Sequence, residues 1–567
     1  MIHAAHQKQT MKPFLAAMLA VCTPMTALAQ MPAPALPSAG TILQEAKPPG
    51  LAAPAPSGTG LIIDKADTGS LPPSAPFLVQ RLEITGNTLF ATPTLLALVA
   101  GVPGQSLSLP QLGQQAGLIT DYYRSQGYPL ARAIIPAQTI LNGVVRIEII
   151  EARYGKISLD NSSAVNDSLL RATLSPLQSG QAISQAGLDQ ALLLLSDIPG
   201  IVATASLKPG QSVSTSDLGV STTPGPAVSG NVVLDNYGNR YTGRARIGGT
   251  INLINPLQHG DILSLSGLSS GGAMNYGRIA YETLLNGHGT RLGGAYSVLR
   301  YTLGEPLAAL GANGTAQVQS LWAKHPLVRS RDINLYGQLQ LDQLQLRDRI
   351  DTSAIRTDRQ LDNWTLSLSG DARDALLSGG VSSWSLGWTS GRVGFDDAAA
   401  KLADAGTAKT QGGFSKLNAS LTRLQTLSPS TGLYLTFSGQ WASTNLDASQ
   451  KMSAGGPYTV RAYDTGAVSG DTGHLASIEL RHSLGAALGG KWQAVVFVDS
   501  ARVQVNKNTW VTGTNSATLS GAGLGLNWVG PAQWSARAYV AKPIGTHPLL
   551  VAGSASARGW VELRRGF

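Results

Sequence analysis

Apolar and polar side chains alternate along the chain from about Val228 to Phe567. Four runs show the pattern plainly, with apolar residues at alternating positions: Ile333, Leu335, Leu339 and Leu341; Trp364, Leu366 and Leu368; Trp384, Leu386 and Trp388; Leu433, Leu435, Phe437 and Trp441. The positions between them carry mostly Ser, Thr, Gln, Asn or charged residues. A period of two is typical of β-strands that have one apolar face.

The extent of this pattern distinguishes two kinds of β-protein. A soluble β-sandwich shows the same alternation on its half-buried strands. Roughly 340 residues of it, with aromatic residues near the segment ends and almost no helix signals, fit about 16 tilted transmembrane strands of 9 to 11 residues plus loops. We therefore predict that residues 228–567 form an outer-membrane β-barrel.

Before the barrel, the chain has a pattern that mixes helix and strand signals, and this pattern occurs twice; we call each copy a mixed unit. Each copy predicts strand, helix, helix, strand, strand in about 75 residues, a normal size for a small α+β domain. We place the first unit at 76–152 and the second at 153–227. The second helix of each unit has one apolar face, formed by Leu112, Ala116, Ile119 and Tyr123 in the first unit and by Leu188, Ala191, Leu192 and Leu195 in the second.

The N-terminus has the features of a secretory signal peptide, which we predict over residues 1–29. Basic Lys8 and Lys12 precede an apolar run, and Ala27-Leu28-Ala29 supplies the small residues that signal peptidase requires. A lipoprotein signal at Cys22 is the alternative, although the residue before this cysteine fits the cleavage position poorly. We expect the segment to direct the chain out of the cytoplasm.

Residues 30–75 are rich in Ala, Pro, Gly and Ser, a composition that cannot bury enough apolar surface to order itself. We therefore predict a linker. Within it, residues 41–46 can form about one or two helical turns, which alone would be marginally stable.

Charge and cysteine content exclude several classes of function. Only 13% of the residues are charged, against about a quarter in soluble domains. The net charge is +9, but the basic residues are scattered and form no run, so no nucleic-acid partner is predicted. Cleavage after Ala29 would remove the single cysteine and with it disulfides, thiolate metal ligands and cysteine nucleophiles. Beyond the N-terminus, no stretch approaches the roughly 18 apolar residues of a membrane-spanning helix.

Catalytic motifs are missing from the sequence, so we predict no catalytic residue, metal, cofactor or enzymatic activity. There is no P-loop, no His-Glu-x-x-His and no cysteine-based metal set. The segment Gly267-Leu268-Ser269-Ser270-Gly271 matches the G-x-S-x-G pattern of hydrolases. It follows a strand-like run and enters a Gly-rich turn instead of a helix, so the nucleophile elbow of those enzymes is not expected.

Three phrases in the mixed region carry a specific resemblance: ITGNTLF, YYRSQGYPLARAIIP and LLLLSDIPGIVATASLKPG. They resemble the two POTRA (polypeptide-transport-associated) domains of the TpsB transporters of two-partner secretion, relatives of the haemolysin and filamentous-haemagglutinin exporters. The resemblance implies a mainly β fold, namely a 16-stranded transmembrane β-barrel preceded by two α+β POTRA domains. It also implies a place in the outer membrane of a Gram-negative cell, with the POTRA domains in the periplasm.

A function and partners follow from the same resemblance. Such a transporter recognises an unfolded secreted partner, a large protein with an N-terminal secretion domain, through its POTRA domains and exports it through the barrel. It contacts outer-membrane lipids and, during biogenesis, the barrel-assembly machinery, and it needs no cofactor. The alternatives are an insertase or assembly factor of the same superfamily, which usually carries more than two POTRA units, and a passive porin, which needs none. Whether the partner is an adhesin, a haemolysin or a contact-dependent toxin is left open.

The resemblance extends to two short motifs in the barrel region. Val460-Arg461-Ala462-Tyr463 resembles the family's Val-Arg-Gly-Tyr, which lies at the tip of a loop that folds back into the lumen. Phe497-Val498-Asp499-Ser500-Ala501 resembles the partner motif Phe-x-Asp-x-Gly on a following strand. Ala replaces Gly in both motifs, which matters only if the backbone there needs a positive φ.

Strand periodicity independently places Asp499 inside the barrel, because the opposite face carries Trp492, Ala494, Val496 and Val498. A bidentate ion pair with Arg461 would satisfy this carboxylate in a confined lumen. The alternative is an ordinary loop charge at Arg461 and a carboxylate solvated by channel water. The predicted lock between loop and barrel consists of Val460, Arg461, Tyr463, Phe497 and Asp499.

Two stretches of the mixed units are candidates for client binding, because strand edges and the helices beside them can accept an extended segment by β-augmentation. The candidate residues are Tyr122, Tyr123, Tyr128, Leu188, Leu192 and Leu195. Core packing is the alternative for each of them. At the other end of the chain, Phe567 resembles the signal that the outer-membrane insertion machinery reads.

Overall fold

The computed structural model describes residues 36–46, 61–63, 72–551 and 556–567. The predicted signal peptide and most of the predicted linker lie outside these residues. Within the described ranges, no helix is long and apolar enough to cross a membrane.

The part of the chain before the barrel forms short helices and strands. In chain order they are α1 (Ala39–Ala46), β1 (Leu61–Ile63), β2 (Phe77–Leu78), β3 (Arg81–Thr85), α2 (Thr92–Ala97), β4 (Ser106–Leu107), α3 (Leu109–Ser125), β5 (Arg132–Ile134), β6 (Val144–Ile150), β7 (Arg153–Asn161), α4 (Asp167–Leu174), α5 (Gln185–Ser196), β8 (Ile201–Pro209) and β9 (Thr215–Pro224).

The first mixed unit is a three-stranded sheet in the order β3-β6-β5, against which α2 and α3 pack. β3 runs parallel to β6, and β5 runs antiparallel to it. α3 begins after Ser108, whose N–H donates to the Gln111 side chain at 2.8 Å, and Pro110 lies in the first turn. The helix buries the residues expected from its periodicity, Leu112, Ala116, Ile119 and Tyr123. The predicted helix and its apolar face are confirmed.

The second mixed unit is a four-stranded sheet in the order β1-β8-β9-β7, on which α4 and α5 pack. The side chains of Asn166 and Ser184 cap the two helices by accepting hydrogen bonds from backbone N–H groups. The buried face of α5 includes the expected residues Leu188, Ala191, Leu192 and Leu195. β1 comes from the segment predicted as a linker and pairs in parallel with β8, a contact that composition alone did not indicate.

The two units meet at Glu151, a buried carboxylate directly after β6. Its Oε1 accepts hydrogen bonds from the N–H groups of Thr88 (2.7 Å) and Leu89 (2.8 Å) and from the hydroxyl of Tyr123 (2.8 Å). Arg153 of β7 donates to the Thr88 hydroxyl at 2.7 Å. Burial alone would raise the pKa of Glu151, but these hydrogen bonds outweigh it and lower the pKa below its ordinary value. The ionised Glu151 also pairs with Arg153 Nη2 at 3.5 Å, so this carboxylate joins the two units.

We expect Glu151→Gln to lower the free energy of unfolding of the first unit by about 1–3 kcal/mol, because neutral hydrogen bonds replace charge-assisted ones. The lowered pKa of Glu151 determines how the stability that this carboxylate contributes depends on pH. The stabilisation is fully present above the ordinary pKa of 4.5 and is lost as pH falls through the lowered value. Proteolysis of the full-length protein at graded pH, scored for cleavage inside the first unit, measures the difference.

The matched control for this substitution is Glu83→Gln on β3, where the carboxylate is exposed and pairs with exposed Arg81. Exposed pairs contribute little, so this variant should keep the wild-type cleavage rate. Equal effects of the two variants, or a Glu151→Gln effect that grows as pH falls, would contradict the assignment.

Strands dominate the rest of the chain. They are β10 (Val228–Asp235), β11 (Arg246–Ile254), β12 (Ile262–Ser269), β13 (Met274–Leu284), β14 (Arg291–Thr302), β15 (Ala312–Arg329), β16 (Ile333–Ile350), β17 (Ile355–Asp374), β18 (Gly380–Phe395), β19 (Gly412–Ser428), β20 (Thr431–Ala442), β21 (Met452–Ala454), β22 (Val468–Gly470), β23 (Thr472–Ala487), β24 (Gly490–Gln504), β25 (Ser516–Val529), β26 (Trp534–Pro543) and β27 (Arg558–Gly566). α6 (Ala398–Ala405) lies between β18 and β19, and 3-10 turns cover Ala308–Leu310, Asp351–Ser353 and Ala448–Gln450.

All of these strands except the β21–β22 hairpin form one closed antiparallel barrel of 16 strands, as predicted. Their lengths differ more than expected, from 8 residues in β10 to 20 in β17. A tilted strand needs only about 9 to 11 residues to cross the hydrocarbon layer. The expected strand length of 9 to 11 residues was wrong, because hairpin pairing continues beyond that layer in the longest strands.

The alternating apolar residues face outward, as the sequence predicts. Large exposed side chains include Ile333, Leu339, Leu341, Trp364, Leu366, Leu368, Leu386, Trp388, Phe437 and Trp441. Intervening positions such as Asn334, Asn363 and Asp371 face inward and are buried. The barrel thus presents an apolar outer surface and a polar inner one, the reverse of a soluble fold.

The barrel closes where its first and last strands pair. β10 and β27 are in antiparallel register from Asn231 opposite Gly566 to Asp235 opposite Glu562. Beyond these pairs, the N–H of Gly230 donates to the carbonyl of Phe567 at 2.9 Å, and the N–H of Phe567 donates back at 3.1 Å. The terminal residue is therefore part of the seam.

α1 lies inside the barrel against inward-facing side chains of β14, β15 and β16. Ile42 and Leu43 are each only 1% exposed. The N–H of Ala39, at the start of the helix, donates to the Asp348 carboxylate at 2.7 Å, an arrangement that the helix dipole favours. At the other end, Asn239 donates to the Glu45 carboxylate at 3.1 Å. The predicted helical turns are confirmed, and their burial comes from the barrel.

Candidate functional site

The connection between β20 and β23, residues 443–471, folds back into the barrel, and we call it the lumen loop. β21 and β22 pair within it as a short hairpin, from Met452 opposite Gly470 to Ala454 opposite Val468. The loop tip between these strands, residues 460–463, is buried against the inner wall. The motif that the sequence singled out is therefore at a loop tip inside the lumen.

Arg461 at the tip forms a bidentate ion pair with Asp499 of β24. Its Nε lies 2.9 Å from Asp499 Oδ2 and its Nη2 lies 2.7 Å from Oδ1. The backbone N–H of Arg461 also donates to Oδ2, at 3.1 Å. Arg461 is 4% exposed and Asp499 is fully buried. The structure thus brings together the two charges that the sequence proposed as partners.

Two further inward-facing residues of β23 complete the charge network. Glu479 accepts a hydrogen bond from Arg461 Nη1 at 2.7 Å, and the Ser477 hydroxyl donates to Asp499 Oδ1 at 2.7 Å. The second carboxylate oxygen of Glu479 accepts from Arg481 Nε at 2.8 Å. Sequence reasoning missed Ser477 and Glu479, although their spacing of two residues on one strand face was a readable signal.

Aromatic side chains surround the guanidinium and exclude water from the pair. The Arg461 guanidinium carbon lies 3.4 Å from the centroid of the Phe497 ring, a cation–π contact, and 5.3 Å from that of Tyr539. The indole N–H of Trp560 donates to the Arg461 carbonyl at 2.7 Å. Phe497 was predicted at this site, whereas Tyr539 and Trp560 were not. A desolvated ion pair with this many partners holds one docked position of the loop.

The other two predicted lock residues shape the turn that carries Arg461. Val460 and Tyr463 are buried, and the N–H of Tyr463 donates to the carbonyl of Val460 at 3.1 Å. The Tyr463 carbonyl in turn accepts from the N–H of Gly456 at 3.1 Å. Both residues therefore shape the turn that positions Arg461.

The alanines that replace glycine in the two motifs are accommodated. Neither Ala462 nor Ala501 is among the residues with positive φ, so neither backbone needs glycine. Ala462 instead depends on a glycine opposite it. A Cβ on Gly521 of β25 would lie 2.4 Å from the Ala462 Cβ, too close for any pair of carbon atoms.

We expect Gly521→Ala to weaken docking of the loop tip by about 1–3 kcal/mol, because an added methyl overpacks the contact with Ala462. Ala462→Gly in the same chain should restore docking, since it removes the opposing methyl. Accessibility of a cysteine placed at Ala454, a fully buried residue of the docked lumen loop, reports loop position in both variants. The packing argument would be contradicted if Gly521→Ala alone left loop accessibility at the wild-type value. It would also be contradicted if adding Ala462→Gly did not restore that value.

A second ion-pair cluster fixes the flank of the lumen loop. Asp464 pairs with Arg558 of β27 at 2.7 Å and also with Arg244. Tyr458 donates to Glu562 of β27 at 3.4 Å. Together with Trp560, these contacts attach the loop to the last strand of the barrel.

The residues predicted for client binding lie in or against the cores of the mixed units. Tyr123, Leu188, Leu192 and Leu195 are buried, and Tyr122 and Tyr128 are partly buried against the first core. In this structure these side chains pack internally. Their role in binding stays a prediction.

Comparison with known proteins decides the family. A family model described as "Haemolysin secretion/activation protein ShlB/FhaC/HecB" matches residues 214–528, more than half of the chain. The chain belongs to this family. A model of the ShlB-type POTRA domain matches residues 77–152. The family consists of outer-membrane transporters of two-partner secretion, so this chain is an exporter with a POTRA domain and a 16-stranded barrel.

Individual relatives agree with this assignment. The heme/hemopexin transporter protein HuxB of Haemophilus influenzae (strain 86-028NP) is 28% identical over 471 residues, 82% of this chain and 83% of the relative. The outer membrane transporter CdiB of Escherichia coli O6:K15:H31 is 22% identical over 464 residues, 80% of this chain and 76% of the relative.

Solved structures confirm the fold. CdiB from Escherichia coli superposes with a TM-score of 0.69 at 21% identity, covering 89% of this chain and 93% of CdiB. BamA from Haemophilus ducreyi lacking POTRA domains 1–3 superposes with a TM-score of 0.51 at 16% identity, covering 87% of this chain and 100% of the BamA chain. At such identities the likeness shows the fold alone.

Proposed function

We propose that this transporter captures an unfolded secreted partner in the periplasm through both mixed units, taken as two POTRA domains, and exports it as the lumen loop moves. The partner would be a large protein with an N-terminal secretion domain. The observation that supports this most is the occupied lumen, which holds α1 on one wall and the Arg461 tip on the other. A pore closed in this way has to open for each client.

The Arg461 network supports a gate in which the lumen loop has one preferred docked position and can still leave it. Removing one partner of a buried ion pair costs about 3–5 kcal/mol, because the other charge is left without water or a counter-ion. Moving the whole loop is different, since Arg461, Asp499 and Glu479 all regain water. The network therefore selects one docked position while release stays accessible.

Contacts between the second mixed unit and one end of the barrel support delivery of a client to the pore. Arg329 at the end of β15 forms a bidentate pair with Asp197, the residue after α5, at 2.7 and 2.9 Å. Arg331 pairs with Asp189 of α5 at 2.6 Å. We place this end in the periplasm, with the unit beneath the barrel mouth.

Export by this route would need no nucleotide. The periplasm offers no ATP, and the sequence has no P-loop. Folding of the client outside the cell would supply the free energy and would prevent its return. The apolar outer surface would contact outer-membrane lipids, and Phe567 at the seam would be read by the barrel-assembly machinery.

The test is a deletion of the transporter gene with comparison of proteins in the medium and on the cell surface. We expect one large protein to be lost, and to return with the full chain but not with a barrel lacking residues 72–227 that still inserts. Loss of many outer-membrane barrels instead would indicate an insertase. An unchanged set of exported proteins would exclude the proposal.

A further inference from the structure

The second mixed unit has an edge strand that is covered by only a short piece of the chain. β8 pairs along its whole length with β9, from Ile201 opposite Pro224 to Pro209 opposite Ser216. On its other side, among the described residues, β8 pairs with β1 alone, from Ala205 to Leu207. Within the described part of the chain, no strand pairs with the outer edge of residues 201–204.

The cover itself is an extended apolar segment. β1 has the sequence Leu61-Ile62-Ile63 and lies parallel to β8, with Leu61 opposite Ala205 and Ile62 opposite Ser206. Leu61 is partly buried and packs against the core of the unit. The chain thus provides its own example of the ligand that this edge accepts, namely a strand with an apolar residue toward the core.

The cover is also easy to replace. Three residues in parallel pairing contribute few ladder hydrogen bonds, and parallel pairs are slightly weaker than antiparallel ones. A longer strand could pair with the uncovered residues 201–204 as well, where Val202 is 52% exposed. An extended client segment would therefore gain more main-chain hydrogen bonds on this edge than β1 makes.

We propose that the outer edge of β8 is the docking edge for an extended apolar segment of the secreted partner, and that β1 occupies it in the resting transporter. This inference rests on the proposed export function. It assigns to β1 the role of an internal competitor. Client binding then requires β1 to leave. A client segment must therefore pair with the β8 edge more strongly than β1 does, which short or charged segments would not.

Two cysteine pairs test this requirement. Ile62→Cys with Ser206→Cys joins β1 to β8 at opposed positions, so β1 cannot leave. Thr204→Cys with Ser221→Cys joins β8 to β9 and leaves β1 free, as the matched control. The single native cysteine, Cys22, is in the predicted signal peptide, so neither pair has an internal competitor in the mature chain.

The readout is export of the protein that disappears from the deletion strain. We expect the oxidised β1–β8 pair to lower export at least about tenfold with recovery on reduction, because a tethered occupant that cannot dissociate excludes any competitor. The oxidised β8–β9 pair should export normally. Normal export by the oxidised β1–β8 pair, with export still dependent on the gene, would overturn the inference and leave the proposed function intact.

A second measurement locates the client on the edge. A photo-crosslinking amino acid at Val202 should capture the same secreted protein during export. Ile62→Pro, which places a proline in the middle of the three-residue strand β1 and so disfavours its pairing with β8, should raise the yield severalfold. Absent crosslinking, or a crosslinking yield that Ile62→Pro does not change, would also overturn the inference. Export that continues in the deletion strain would instead refute the proposed export function, on which the inference rests.

Discussion

Arg461→Ala is expected to lower partner export at least about tenfold while the barrel still inserts and folds, because the Arg461–Asp499 pair holds the lumen loop in the conformation from which export starts. The substitution leaves the buried Asp499 carboxylate without its counter-ion and removes one of the two arginines that pair with Glu479. The docked loop should then lose about 3–5 kcal/mol relative to the undocked one. Export is measured by immunoblotting of the medium, and loop position by accessibility of a cysteine placed at the buried Ala454.

Two control variants separate the network from a general loss of charge. Arg423→Ala removes a bidentate pair with Asp374, made through Nη1 and Nη2 at 2.7 and 2.9 Å, at a more exposed position outside the lumen loop. It should export normally. Arg461→Lys keeps the charge without the planar fork and should give intermediate export. Wild-type export by Arg461→Ala, with a normal barrel, would refute the gating role.

Ile42→Asp combined with Leu43→Asp is expected to open the resting channel. These side chains are each 1% exposed and pack into the apolar cluster between α1 and the barrel wall, where new carboxylates would have no counter-ion. α1 should leave the lumen, so that conductance in planar bilayers and sensitivity of cells to a large antibiotic both rise severalfold.

Thr41→Asp provides the control on the same helix. Thr41 is less buried and lies in the first turn, where the helix dipole favours an acidic residue. Its channel should stay closed. If the double variant conducts no more than Thr41→Asp, α1 does not obstruct the pore.

The sequence predicted those parts of the fold that depend on local periodicity. Alternation placed Leu341 and Trp388 on the outer surface, and helical spacing placed Ile119 and Leu192 in the cores. The same alternation placed Asp499 in the lumen, and motif resemblance supplied Arg461 as its partner. Each of these inferences needs only neighbours along the chain.

What the sequence could not supply are contacts set by closure of the barrel and by sheet edges. Trp560 reaches the Arg461 carbonyl from the last strand because the sixteenth strand returns beside the first. β1 was hidden in a Pro-rich composition, and the strand with which it pairs, β8, is far away along the chain. The candidate client residues were chosen by apolar character, which marks a core and a binding surface equally.

The attachment of the lumen loop to β27 ties the order of assembly to the state of the pore. Trp560, Arg558 and Glu562 all lie on the strand that completes the barrel, and each contacts the loop. A nascent barrel without that strand has no place to dock the Arg461 tip fully. We therefore expect the lumen loop to close the channel only after β27 has completed the barrel. A closed channel would then also indicate a fully assembled barrel.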